Sequence, residues 1–201
     1  MKNTYANKPS KLQAFTIVEL LIVIVVIAIL AAISIAAYTN IQQRAKNTAI
    51  INAASQSLKM IQAYIAENGA YPFSISSGTA WLCVTTDMTC VWDNGSVVPA
   101  RTSFNDNMAK VGSLPKSVPV SGSNGNGLTV FYSPDFTQNG VSTPFTLQYW
   151  LIGTNQKCGL GGVVTVAGNV LTPSTSGYTN GSVVDGTKTT CRISVPGPVH
   201  S

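Results

Sequence analysis

The sequence predicts an α+β protein, with one long N-terminal helix followed by a domain of short antiparallel strands. Two observations carry this. No Gly or Pro interrupts residues 15–68, although both are frequent afterwards. Beyond residue 69 the chain turns to Ser, Thr, Asn and Gly, with runs that alternate apolar and polar residues at strand period. Charged residues make up only 9% of the chain, a composition common in extracytoplasmic β-rich domains and unlike that of a disordered polyampholyte.

Residues 1–14, MKNTYANKPSKLQA, are polar and cationic, with Pro9 opposing a helix through them, and they read as a cleaved basic leader. Lys2, Lys8 and Lys11 supply much of the formal charge of +5, which falls to +2 without them. The cations beyond the helix, Arg101, Lys110, Lys116, Lys157, Lys188 and Arg192, are scattered singly, so no dedicated nucleic-acid surface is predicted. From Phe15 to Ala37 the chain reads FTIVELLIVIVVIAILAAISIAA, long enough to cross a bilayer as a helix. The leader lysines favour a single-pass, N-in and C-out orientation, against which Arg44 and Lys46 weigh on the far side. A secretory signal peptide cut after Ser34-Ile35-Ala36 and a plain uncleaved anchor are the competing readings.

Glu19 separates them. An ionised carboxylate this deep in an apolar helix costs about 2.5–3.5 kcal/mol on insertion scales, which a simple anchor gains nothing by carrying. A cut between Ala14 and Phe15 would place a new α-amino group one helical turn away. In a filament the amine of a neighbouring subunit could take that place and fix the axial register.

The segment Ala14-Phe15-Thr16-Ile17-Val18-Glu19-Leu20, followed by the long apolar run, resembles the class III prepilin signal shared by type IV pilins and by secretion or competence pseudopilins. The resemblance implies a pilin-like fold, cleavage before Phe15 by a membrane aspartyl prepilin peptidase, and N-methylation of Phe15. It implies as partners other pilin subunits, the inner-membrane platform protein, the assembly ATPase and membrane lipid. It also implies a surface filament as the final location. This chain has Ala14 where the family usually has Gly, and Ala28 and Ala36 where many relatives carry Gly and Pro, changes that favour helix continuity.

Residues 38–68 read as an amphipathic continuation of the helix, with Ile50, Ala54, Leu58, Ile61 and Ile65 on one face and Gln42, Gln43, Arg44, Lys46, Gln56 and Lys59 solvated on others. Asn68-Gly69 reads as the C-cap, and the run through Tyr71-Pro72 resembles the NGxYP junction of many pilins and pseudopilins. Residues 69–201 then form the β-rich head, with strands expected near 80–84, 89–92, 128–133, 145–152, 163–171 and 189–195. The 121–127 run SGSNGNG reads as a turn and not a phosphate cradle, since no Lys-Ser/Thr follows it.

Cys83, Cys90, Cys158 and Cys191 all lie in the exported region and allow three disulfide connectivities. The favoured one joins Cys83 to Cys90 across a short turn and Cys158 to Cys191 around a C-terminal loop, the latter resembling the disulfide-bounded region of many pilins. Trp81 and Trp92 flank the first pair and read as cross-strand packing in preference to a glycan-binding platform. No metal, cofactor or catalytic constellation is expected: His200 is the one histidine, the cysteine spacings lack a close zinc pair, and Asp87, Asp93, Asp106, Asp135 and Asp185 are dispersed. The sequence thus points to a structural pilin subunit and not to an enzyme, with a pseudopilin or a membrane-anchored extracellular binding module as alternatives.

Overall fold

The computed structural model describes residues 15–75, 77–87, 90–120, 122–179 and 186–198; the expected leader, with Ala14, and Asp185 and His200 lie outside them. The elements run α1 (Ile17–Asn68), β1 (Ala80–Cys83), α2 (Thr102–Ala109), β2 (Leu128–Tyr132), β3 (Thr137–Gln138), β4 (Val141–Ser142), β5 (Phe145–Ile152), β6 (Val164–Ala167), β7 (Val170–Pro173) and β8 (Lys188–Val195). The fold is α+β and pilin-like: a long N-terminal helix and a C-terminal region dominated by antiparallel strands. The chain divides into two compact units at Gln42/Gln43.

In the first unit every described side chain from Phe15 to Gln42 is exposed. This stretch of α1 is long and apolar enough to cross a membrane. A helix satisfies its own backbone hydrogen bonds, the condition hydrocarbon imposes. Even Ser34 turns inward, its Oγ donating to the Leu30 carbonyl at 2.7 Å.

In the second unit Ile50, Ala54, Ile61 and Ile65 of α1 enter the core shared with the sheet, and Asn47, Ser57 and Tyr64 are buried as well. Leu58 is partly buried and packs against that core, and the neighbouring Ser57 is fully buried. Gln43 is also not simply solvated: its Nε2 donates to the Ile152 carbonyl at 2.8 Å. Asn47 completes the latch, its Nδ2 donating to the same carbonyl at 3.0 Å and its Oδ1 accepting the Ile152 N–H at 2.8 Å. Gly69, at φ 63°, ends the helix by returning its N–H to the Ile65 carbonyl.

The main sheet has the order β1-β2-β5-β8, antiparallel throughout, with Val130 opposite Leu147 and Leu147 opposite Ile193. Leu82, Leu128, Val130, Leu147, Tyr149 and Ile193 bury their side chains in the core shared with the helix. Phe104 and Met108, four apart on α2, enter the same core. Burying each such side chain contributes about 1.5–3 kcal/mol.

Three expectations are corrected. Of the strand expected near 89–92, the described residues 90–92 form none: Val91 makes only isolated bridges to Val97 and Asn126, because the Cys83–Cys90 bond and a tight 92–96 turn bend the backbone. The 163–171 run is a hairpin of β6 and β7 turned by Gly168 at φ 59°. The head also holds a second sheet, β4-β3-β7-β6, in which β3 and β7 pair in parallel.

Candidate functional site

Thr16 and Glu19 begin the helix together. The Thr16 Oγ1 accepts the Glu19 N–H at 3.2 Å, while Glu19 Oε2 accepts the Thr16 N–H at 2.9 Å and its hydroxyl at 2.7 Å. This reciprocal capping box satisfies donors that the first turn leaves open. A carboxylate is also well placed against the positive end of the helix dipole. Glu19 therefore has a role within its own chain that the charge argument alone missed, although Thr-x-x-Glu was there to be read. Oε1 takes no part in the box and retains its acceptor capacity. Around it Phe15, Ile17 and Val18 are 83%, 86% and 66% exposed, an apolar surface with no partner among the described residues of the first unit.

In the head, Cys83 is bonded to Cys90 and Cys158 to Cys191. Gly127, at φ 91°, passes so close that a Cβ there would lie 2.7 Å from Cys90 Sγ, so the first bond and the glycine-rich loop require one another. The loop's carbonyls converge on a cation. Buried Lys188 donates to the Asn124 carbonyl, to the Gly125 carbonyl at 3.0 Å and to Asn126 Oδ1 at 2.9 Å. Oxygen atoms facing inward are the reverse of a phosphate cradle. At the second disulfide, Tyr149 donates its hydroxyl to the Cys158 carbonyl at 2.6 Å, and burial raises its phenol above the ordinary value.

The sheet face away from the helix is also covered. Thr146 and Gln148, the polar residues that alternate with Phe145, Leu147 and Tyr149 along β5, are fully buried there. Gln148 Oε1 accepts Arg192 Nε and Nη2 at 2.9 and 2.7 Å, and the guanidinium lies over the Trp81 and Phe131 rings. Burial pushes Arg192 down to about 10, against the raising influence of Asp93. Trp81 and Trp92 pack together, but from a strand onto a turn and not across paired strands. Among the described residues, no three His, Cys, Asp or Glu side chains group to hold a metal.

Residues 10–35 match the prokaryotic N-terminal methylation motif. The match supports a type IV pilin-like class III signal, and a signal of this type implies prepilin peptidase processing and assembly with other pilins. No curated protein and no solved structure matches the chain.

Proposed function

We propose that this chain is the structural subunit of a type IV pilus-like surface filament, cut between Ala14 and Phe15, methylated on Phe15 and polymerised through its N-terminal helix. The observation that carries the proposal is the methylation motif of residues 10–35, whose described part lies on the exposed apolar start of α1, with a first turn organised around Glu19. That surface needs lipid before assembly and neighbouring helices after it. The free Oε1 of Glu19 is the acceptor for a neighbour's α-amine, and the platform protein and its ATPase supply the extraction from the membrane.

Mass spectrometry of the mature N-terminus is the test. N-methylated Phe15 is expected, whereas a terminus near Ala37 would identify a signal peptide and an intact leader a plain anchor; either would sink the proposal. Electron microscopy of cells expressing the protein then separates the alternatives. Long surface filaments built from it belong to a pilin, and their absence despite a methylated Phe15 belongs to a secretion or competence pseudopilin.

A further inference from the structure

All three tryptophans of the chain gather at one place on the head. Trp81 and Trp92 have ring centroids 3.6 Å apart, Trp81 stacks on Phe131 at 4.1 Å, and Trp92 meets Trp150 edge-on at 6.0 Å. The group is rigid. Arg192 lies over Trp81 at 5.7 Å, and the Cys83–Cys90 bond joins positions two residues from each of the first two indoles. Rings held this firmly lose little conformational freedom when a ligand arrives.

Both indoles are partly exposed in the wall of a cleft of about 400 Å³, whose polar lining includes Thr79, Asn94, Ser96 and Arg101. Asn94 Oδ1 already accepts the Ser96 N–H at 3.0 Å, which leaves the amide nitrogen as a donor. Arg101 lies 5.8 Å from the Phe73 ring centroid, and no carboxylate lines the cleft among the described residues. The cleft therefore combines aromatic surface, small hydroxyl and amide groups, and a single uncompensated cation.

We propose that this cleft binds a saccharide bearing a carboxylate. The C–H face of a pyranose ring suits an indole, its hydroxyls exchange with Thr, Ser and Asn groups, and a carboxylate is the natural partner of a guanidinium. A phosphodiester chain would call for several cations along a track, and the lining offers one. The assignment is independent of whether the protein forms filaments.

The test is titration of the full-length protein in detergent, following intrinsic tryptophan fluorescence, which reports the cleft because Trp81 and Trp92 line it and the third indole, Trp150, packs against Trp92. Two matched pairs of probes isolate the charge: oligogalacturonate with its methyl ester, and sialyllactose with lactose. At least one acidic sugar should give a saturable change and bind about tenfold more tightly than its neutral counterpart, the equivalent of one charge-assisted contact. Arg101→Gln, at an exposed position, should abolish that preference without moving the melting temperature. Trp92→Phe should weaken both members of the pair and, if it also lowers the melting temperature, Asn94→Ala should still weaken both with the fold intact. Absence of a saturable response to either acidic sugar overturns the proposal. So does an unchanged preference in Arg101→Gln, or binding of a single-stranded oligonucleotide as tight as that of the uronate.

Discussion

At the scale of single residues, Glu19 is asked to do two things with two oxygens. Oε2 closes the capping box with Thr16, and Oε1 is assigned to the amine of a neighbouring subunit. The tasks can be separated. Thr16→Val removes the hydroxyl of the box and should cost about 1 kcal/mol of helix initiation while leaving the carboxylate in place. Glu19→Ala removes both functions. Glu19→Gln keeps an amide oxygen for the Thr16 N–H but no charge. With the protein as the sole pilin, filaments seen by electron microscopy should be reduced by Thr16→Val and nearly absent with either Glu19 variant, while all three remain membrane-bound. Equal defects in Thr16→Val and Glu19→Gln would reduce Glu19 to a cap. The box itself was legible as Thr-Ile-Val-Glu, but the cost of a buried carboxylate drew attention to charge and away from hydrogen bonding.

At the scale of elements, legibility followed how purely apolar each pattern was. The strands at 128–132 and 145–152 were visible because Leu128, Val130, Leu147 and Tyr149 alternate cleanly, and the fold buries that face against the helix. The helix face of Ile50, Ala54, Leu58, Ile61 and Ile65 was legible in the same way, whereas buried Asn47 and Ser57 were not, because an apolar pattern carries no sign of a buried polar residue. Helix α2 escaped notice for a related reason: it has eight residues, no side-chain N-cap at Arg101, and Asn105, Asp106 and Asn107 in its interior, all weak helix formers. The disulfides offer a test of element coupling. Cys158 and Cys191 are 33 residues apart and Cys83 and Cys90 only 7. Loop closure alone gives roughly 3.8 and roughly 2.5 kcal/mol respectively. Cys158→Ser should therefore lower the melting temperature of the full-length protein more than Cys83→Ser does. The opposite order would show that the contacts of Gly127 and Trp81 around the short bridge outweigh chain entropy.

At the scale of the whole molecule, the head buries polar groups as well as apolar ones, and its response to alkali follows. Burial, aided by Tyr132, pushes the Tyr71 phenol up to about 12, and burial raises Tyr149 as well. From pH 10 upward the unfolded chain gives up phenolic protons that the fold retains, so stability falls. Arg192 acts in the other direction: its value is lowered in the fold, the unfolded chain keeps that proton longer, and stability gains above about pH 10. Two phenols against one guanidinium leave a net loss. Tyr149→Phe should cost about 1 kcal/mol at neutral pH, where the Cys158 carbonyl loses its donor, yet decline less steeply than the wild type between about pH 10 and 12. Parallel pH profiles in thermal melts would remove Tyr149 from that account. The second sheet and the covered polar face were not legible, since two-residue strands carry no periodicity and burial of Gln148 depends on Arg192, distant in sequence. The latch at Ile152 bears on mechanics. A pull on the N-terminal half of α1 enters the head first at Gln43 and Asn47, whose side chains grip the backbone N–H and C=O of a single β5 residue, Ile152. That strand is paired on both sides, along all eight of its residues with β8. Traction therefore spreads across two ladders of backbone hydrogen bonds.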